Sequence, residues 1–115
     1  MRVFPVATGT AANALSLAAI APPWGLVYCS EAAHINTSEA NAVGFFGGGL
    51  KLVLVAGDHG RIGAAALSET LAAVQPGAIH RGQPAAVNIT QASDLGAVYS
   101  IDEIQIGRAS CRERV

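Results

Sequence analysis

The chain has 115 residues, a length that allows one small domain. Apolar residues make up 51% of it and charged residues 13%, which excludes a disordered segment and is typical of the interior of a larger protein. The formal net charge of −1 provides no basic surface for nucleic acid, and we expect neither a membrane span nor a signal peptide. The two cysteines have no metal-ligand spacing, so a reduced, cytoplasmic setting is the simpler expectation.

The first half of the chain alternates short apolar runs with helical segments. Residues 3–6 predict a buried strand that enters a tight turn at residues 8–10. Residues 11–21 are rich in Ala and Leu and predict a helix, which the following Pro-Pro pair ends. Residues 26–29 predict a second strand, and the polar stretch 30–41 predicts a loop with room for one helical turn.

The second half continues the alternation. Residues 45–49 predict a flexible apolar loop, and residues 50–55 form a nearly continuous apolar run, typical of a parallel strand covered on both faces. A turn at 58–60 precedes a helix with one apolar stripe. The stripe consists of Ala64, Leu67, Leu71 and Val74. Residues 85–89 predict another strand, and a further element begins near Ser100. This order predicts an α/β sandwich with a mostly parallel sheet.

The last ten residues, 106–115, break the pattern. Three arginines crowd this stretch of a chain that has only seven basic residues. The string IGRASCRERV resembles the in-frame translation of a common sequencing adapter, so we expect residues 1–105 to be the native domain and residues 106–115 a non-native tail. A natural basic helix end is the alternative. Ordinary genomic sequence continuing past codon 105 would contradict the adapter interpretation.

The most informative local motif is Thr8-Gly9-Thr10 before the predicted helix. Free backbone N–H groups and the positive end of the helix dipole favour an anion at such a position. Gly9 would let a phosphate approach the backbone, and the hydroxyls of Thr8 and Thr10 could add hydrogen bonds. Threonine is also a common N-cap, so the motif alone is weak. Its spacing fits neither the nucleoside triphosphate nor the dinucleotide glycine loop.

His34 follows the second predicted strand, where the loops of a parallel sheet form a ligand crevice. Its imidazole could stack on a flat ring or act as an acid or base near neutral pH. The alternative is a loop histidine bonded to Glu31 or Glu39. His59 and His80 lie in turn-like contexts and are expected to be exposed, and the three histidines lack metal-ligand spacing, so no metal site is predicted.

Four segments, spread over nearly all of residues 1–105, carry a resemblance. They are FPVATGTAANALSLAAI, SEAAHINTSEA, FFGGGLKLV and PAAVNITQASDLGAVYS. In this order they resemble the threonine aldolase/β-eliminating lyase family, whose members use pyridoxal 5′-phosphate (PLP) and have the aminotransferase-like fold (fold type I). The resemblance implies that the chain is part of the large domain, a three-layer α/β sandwich. It also implies that Thr8, Gly9 and Thr10 bind the PLP phosphate, that His34 stacks on the pyridine ring and assists proton transfer, and that Glu39 supports the loop.

Two features depart from the family pattern. Gln91 falls where many members carry a second active-site histidine, which weakens the usual aldol acid/base assignment. The resemblance also implies that the lysine that binds PLP covalently, and the aspartate that pairs with the pyridine nitrogen, lie beyond the matched stretch. Lys51 is the only lysine and matches an ordinary family residue. We therefore expect the chain alone to be catalytically inactive.

By this resemblance the parent protein is a cytoplasmic lyase that cleaves threonine or allo-threonine to glycine and acetaldehyde. Its partners are the amino-acid substrate and its own copies in a homodimer or homotetramer, with no nucleic acid or membrane. The alternatives are another fold-type-I PLP lyase that catalyses β-elimination, and an inert phosphate-binding piece. The isolated chain is expected to expose strand edges and apolar helix faces, and therefore to be poorly soluble.

Overall fold

A computed structural model describes residues 1–112 of the chain. Within that range the helices are α1 Gly9–Ile20, α2 His34–Thr37, α3 Ala42–Phe46, α4 Ala64–Ala72 and α5 Ile101–Arg112. The strands are β1 Gly25–Ser30, β2 Lys51–Val55, β3 Gly57–Asp58, β4 Arg61–Ile62 and β5 Gln83–Val87. In the same range no helix combines the length and the apolar composition needed to cross a membrane.

A three-stranded parallel sheet organises the chain in the order β2-β1-β5. Val27 of β1 pairs with Leu52 of β2 on one side and with Ala86 of β5 on the other. The short strands β3 and β4 form a separate antiparallel hairpin. Because the three paired strands run in the same direction, the loops that follow them all leave the sheet at one edge. That edge is where ligands bind in open parallel sheets.

The central strand β1 separates two apolar clusters. Val27 and Cys29 face the layer of α1 and α3, where they join Leu17 and Val43. The alternate residues Leu26 and Tyr28 face the opposite side and join a second cluster. Its helical members include Leu67 and Leu71 of α4. All six residues of β1 are buried, as expected for a strand covered on both faces. Helices therefore lie on both sides of the sheet, which confirms the predicted three-layer α/β sandwich.

Most predicted elements are confirmed, but the strand predicted at residues 3–6 is wrong. That segment has no regular structure, and the side chains of Val3 and Phe4 are 72% and 79% exposed. An apolar run becomes a strand only where a neighbouring strand accepts its hydrogen bonds. No strand of the described chain pairs with this run, and Pro5 has no N–H group to donate.

Two element boundaries also differ from the prediction. Residues Phe45 and Phe46 belong to the end of α3 rather than to a loop, because Phe45 N–H donates to Asn41 O at 3.0 Å and continues the helical pattern. Gly47 is the C-cap, and Gly48 and Gly49 after it take positive φ angles that do not continue the helix. Strand β5 begins at Gln83 and includes Pro84, which an edge strand tolerates. It ends at Val87, two residues before the predicted end.

Helix α5 continues across the predicted boundary between residues 105 and 106. Cys111 in its last turn packs against the cluster that contains Tyr28. A helical conformation is open to native and foreign sequences alike, so the non-native tail stays a prediction. Residues 113–115 of that tail lie outside the described residues.

Candidate active site

The first turn of α1 presents backbone donors to the surface. Thr8 is the N-cap, with extended backbone angles (φ −143°, ψ 157°), and its Oγ1 accepts the N–H of Ala11 at 3.0 Å. The carbonyl of Thr8 accepts the N–H of Ala12 at 3.1 Å, which starts the helical ladder. The N–H groups of Gly9 and Thr10 precede that ladder and have no acceptor within the helix. The predicted turn is therefore a helix N-terminus, and the N–H groups of Gly9 and Thr10 are available as hydrogen-bond donors.

The space in front of this turn suits an anion. Apart from its chain neighbours and its own helix backbone, no heavy atom of residues 1–112 lies within 4 Å of the position that a Cβ on Gly9 would occupy, so a ligand can approach the backbone. The first turn contains no acidic residue that would repel a negative charge. The positive end of the helix dipole adds to the attraction. A phosphate group therefore fits the turn in shape and in charge.

His34 is anchored beside the same helix by a buried carboxylate. It is the first residue of α2, in the loop region that follows β1, and its Nδ1 lies 2.8 Å from Oε1 of Glu39. The same oxygen accepts a hydrogen bond from Nδ2 of Asn13, also at 2.8 Å. Asn13 lies in α1, one turn beyond Gly9. A single oxygen thus joins the histidine to the helix whose N-terminus could hold a phosphate.

Burial distinguishes the members of this cluster. The Glu39 side chain is 0% exposed, whereas the His34 side chain is 50% exposed. Among the described residues His34 forms no hydrogen bond with Glu31. It does contact Glu39, and half of its side chain nevertheless stays exposed. A histidine that bonds to the loop and a histidine that stacks on a ligand are alternatives at the level of sequence. The geometry allows His34 to do both. One edge of the imidazole is fixed to protein, and the rest can meet a ligand.

Loops that follow β2 and β5 reach the same edge of the sheet. Ser93 Oγ donates to the carbonyl of His59 at 2.6 Å, which joins the loop after β5 to the β3–β4 turn. A side chain added to Gly60 would lie 3.1 Å from Ser93 Cβ and 3.7 Å from Ala32 Cβ, so the loop after β1 adjoins them. The loops that follow β1, β2 and β5 therefore contact one another at this edge of the sheet.

Gln91 is part of the framework of these loops. Its Nε2 donates to the carbonyl of Tyr99 at 3.0 Å, and its Oε1 accepts the Tyr99 N–H at 2.9 Å. The hydroxyl of Tyr99 accepts the N–H of Ile62 at 2.6 Å. The amide of Gln91 is thus engaged with the main chain of its own loop. Sequence reasoning missed this role and that of Asn13, although a lone asparagine in an apolar helix is a signal of a polar contact.

The remaining candidate nucleophiles lie away from the cluster. Lys51 begins β2 and pairs with Leu26 near the start of β1, so it lies at the edge opposite the loops, about 16 Å away along a five-residue strand. Burial raises the pKa of the Cys29 thiol to about 11, which keeps it protonated and unreactive near neutral pH. His59 and His80 are exposed, as predicted.

The comparisons with known proteins agree with this architecture. Residues 1–114 match the family model described as beta-eliminating lyase. The chain is 40% identical over 111 residues to the low specificity L-threonine aldolase of Pseudomonas aeruginosa, covering 96% of this chain and 32% of that protein. The corresponding enzyme of a Pseudomonas species is 39% identical with the same coverage.

Solved structures give the same result. A threonine aldolase from Leishmania major matches with a TM-score of 0.82 and 27% identity, covering 91% of this chain and 30% of that one. The chain thus spans about a third of the length of the curated relatives it matches. The resemblance and the fold predicted from the sequence are confirmed. This chain belongs to the beta-eliminating lyase family.

Proposed function

We propose that this chain forms part of a PLP-dependent threonine aldolase, which cleaves threonine or allo-threonine to glycine and acetaldehyde. The observation that carries the proposal is the single Glu39 oxygen that joins His34 to α1, beside a helix N-terminus suited to a phosphate. Both curated relatives are named as threonine aldolases, and each match covers 96% of this chain and 32% of the relative.

The first turn of α1 would hold the cofactor phosphate. The N–H groups of Gly9 and Thr10 point out of the helix start, and the proton of the Thr8 hydroxyl remains free because Oγ1 acts as an acceptor toward Ala11. The open space at Gly9 admits the phosphate oxygens. The Thr10 hydroxyl is a further donor in the same turn. Together these groups would fix one end of PLP without a positively charged side chain.

His34 would cover the ring and handle a proton. With Nδ1 bonded to Glu39, its outer nitrogen, Nε2, is the atom that can accept a proton from the substrate hydroxyl. When bound, PLP supplies the electron sink for breaking a bond at the substrate Cα. The described residues would supply position: the phosphate turn would hold one end of the cofactor, and the anchored imidazole of His34 would cover its ring.

A second candidate is a β-elimination on a similar amino acid. The observation that favours it is the engagement of Gln91 with the Tyr99 main chain, since this position offers no proton-transferring imidazole. The product separates the two reactions. Retro-aldol cleavage of threonine yields glycine and acetaldehyde, whereas β-elimination yields 2-oxobutanoate and ammonia.

Product analysis of the full-length protein that carries this sequence tests the proposal. With PLP and L-threonine or L-allo-threonine, we expect glycine and acetaldehyde in equal amounts. The His34→Phe variant should keep an aromatic ring over the cofactor while losing the proton transfer, so its turnover should fall sharply. Lys51→Met is the matched control and should retain activity. Formation of 2-oxobutanoate without glycine would refute the aldolase assignment.

We further propose that the 115-residue chain alone is inactive and that residues 106–115 are a non-native tail. Lys51, at the opposite sheet edge, is too remote from the phosphate turn to reach the reactive carbon of PLP. Mixing the chain with PLP and borohydride should therefore give no stable adduct at Lys51. Such an adduct would contradict the proposal, and the gene sequence past codon 105 would decide the tail.

The setting and the assembly are proposals of the same kind. Cys29 is a buried free thiol, which supports a reduced cytoplasmic environment. Trp24, Phe45 and Phe46 are exposed apolar side chains that a larger domain or a second subunit would cover. We propose a homodimer or homotetramer for the full-length enzyme. Size-exclusion chromatography with light scattering would measure its mass, and a monomer would contradict this assembly.

A further inference from the structure

The cluster of Asn13, His34 and Glu39 carries more information than the presence of a histidine. Its members come from α1, from α2 and from the loop between α2 and α3. Two donors share one carboxylate oxygen, Glu39 Oε1, each at 2.8 Å. The carboxylate is fully buried, although nothing in the apolar cores requires a charged group there. A buried carboxylate is costly unless it is hydrogen-bonded, so its placement calls for a role.

We propose that Glu39 is a positioning residue that sets the tautomer and the ring orientation of His34 and ties both to α1. The proposal deepens the proposed function and rests on it only for the identity of the ligand. Because Asn13 Nδ2 can only donate, Glu39 Oε1 is an acceptor toward it. An ionised carboxylate has no proton to donate, so in this arrangement the same oxygen accepts from His34 as well, and Nδ1 carries the ring proton.

This assignment determines what His34 can do. In the neutral imidazole only one nitrogen carries a proton, so Nε2 presents a lone pair. The His34 side chain is half exposed, and Nε2 is the ring nitrogen that does not contact Glu39. His34 is thus held ready as a proton acceptor at Nε2. Free imidazole side chains in water prefer the opposite tautomer, with the proton on Nε2.

The link through Asn13 adds a second consequence. Asn13 lies one turn into α1, so the same carboxylate holds the phosphate turn and the ring of His34 at a fixed separation. Glu39 Oε2 is buried and has no hydrogen-bond partner among the described residues. Only Oε1 therefore carries the two contacts, and loss of the side chain breaks both at once.

The test is nitrogen-15 NMR of the imidazole rings in the full-length protein, before cofactor is added, at mildly alkaline pH. We expect His34 to show a protonated Nδ1 and a bare Nε2. His59 provides an internal control, because its Nδ1 lies 2.7 Å from Asp58 but both side chains are largely exposed. Solvent competes there, so His59 should show the ordinary tautomer. Substitution of His34 by Gln assigns its signals.

Two variants separate positioning from general support. In Glu39→Leu the acceptor is lost, and we expect the Nδ1–H signal of His34 to disappear in favour of Nε2–H. In the matched control Glu69→Leu, which alters an exposed carboxylate on α4, the His34 signals should not move. An Nε2–H tautomer of His34 in the wild type, or a retained Nδ1–H in Glu39→Leu, would overturn the proposal. If Glu39→Leu does not fold, the wild-type spectrum alone decides.

The outcome is independent of the reaction. The tautomer is read without substrate, so a positive result with no cleavage of threonine would reject the proposed function and leave the positioning role intact. The reverse result, cleavage of threonine with the ordinary tautomer at His34, would reject the positioning role alone.

Discussion

Replacement of Thr8 by alanine removes one side-chain oxygen and tests both roles of the first turn of α1. The first role is structural, since Thr8 Oγ1 accepts the N–H of Ala11 at 3.0 Å. Loss of an N-cap hydrogen bond costs about 1 kcal/mol, which lowers the ratio of folded to unfolded protein about fivefold. Serine at the same position keeps the hydroxyl and should restore most of the stability. Urea unfolding of the full-length variants measures this effect.

The second, proposed role of Thr8 is to donate its hydroxyl proton to a phosphate. A hydrogen bond to a charged group is worth about 1.5–3 kcal/mol, so Thr8→Ala should weaken phosphate-dependent binding roughly 10- to 150-fold. Pyridoxamine 5′-phosphate is a suitable probe, because it carries the ring and the phosphate without the aldehyde that reacts with lysine. Fluorescence titration gives its dissociation constant, and Thr8→Ser should bind it almost as tightly as the wild type.

The two measurements together can refute the reasoning. A variant Thr8→Ala that loses stability but keeps its affinity for pyridoxamine 5′-phosphate would show that the cap forms and that the Thr8 hydroxyl does not bind the phosphate. A variant with unchanged stability and unchanged affinity would show that the hydroxyl makes neither contact.

Further predictions concern the core and the surface. Tyr28→Phe should stabilise the protein by about 1 kcal/mol in thermal melts, because the hydroxyl is buried without a partner in residues 1–112; a loss of stability would show that the hydroxyl is bonded. Burial raises the pKa of Cys29 from 9.0 to about 11, so the stability that the buried thiol contributes is present below pH 9 and declines as the pH rises toward 11. Native Cys29 should also resist iodoacetamide, and rapid alkylation would contradict this. The isolated chain leaves the outer edges of β2 and β5 unpaired and exposes Trp24 and Phe45, so it should bind the dye ANS and self-associate, whereas a sharp cooperative transition of a monomer would contradict the expectation.

The fold was most predictable where local pattern and burial coincide. Strand β1 is a short apolar run at the centre of the sheet, and its composition reflects coverage on two faces. The sequence predicts the same coverage for strand β2, but β2 lies at the edge of the described sheet and only Val55 of its five residues is buried. The apolar run at residues 3–6 has a similar composition but no partner strand in the described chain, and composition does not reveal pairing. Phe45 and Phe46 precede a run of glycines, which predicts a loop, although both residues belong to the end of α3.

The candidate site also has a part that the sequence predicts and a part that it does not. The turn at Thr8 and the histidine at position 34 carry local signals, a helix start and a residue after a strand. The hydrogen bond between Asn13 and Glu39 that links them has no local signal. The two residues are 26 positions apart in sequence and meet only because α1 packs beside α3. A contact made by tertiary packing leaves no spacing to read in a single sequence.

The central claim is that the start of α1 holds the PLP phosphate while His34 covers the ring. A crystal structure of the full-length protein loaded with PLP tests it most directly. We predict phosphate oxygens within hydrogen-bond distance of the N–H groups of Gly9 and Thr10, and the His34 imidazole parallel to the pyridine ring, with Nδ1 still on Glu39. A phosphate bound away from this turn, or a ring stacked on another residue, would contradict the claim.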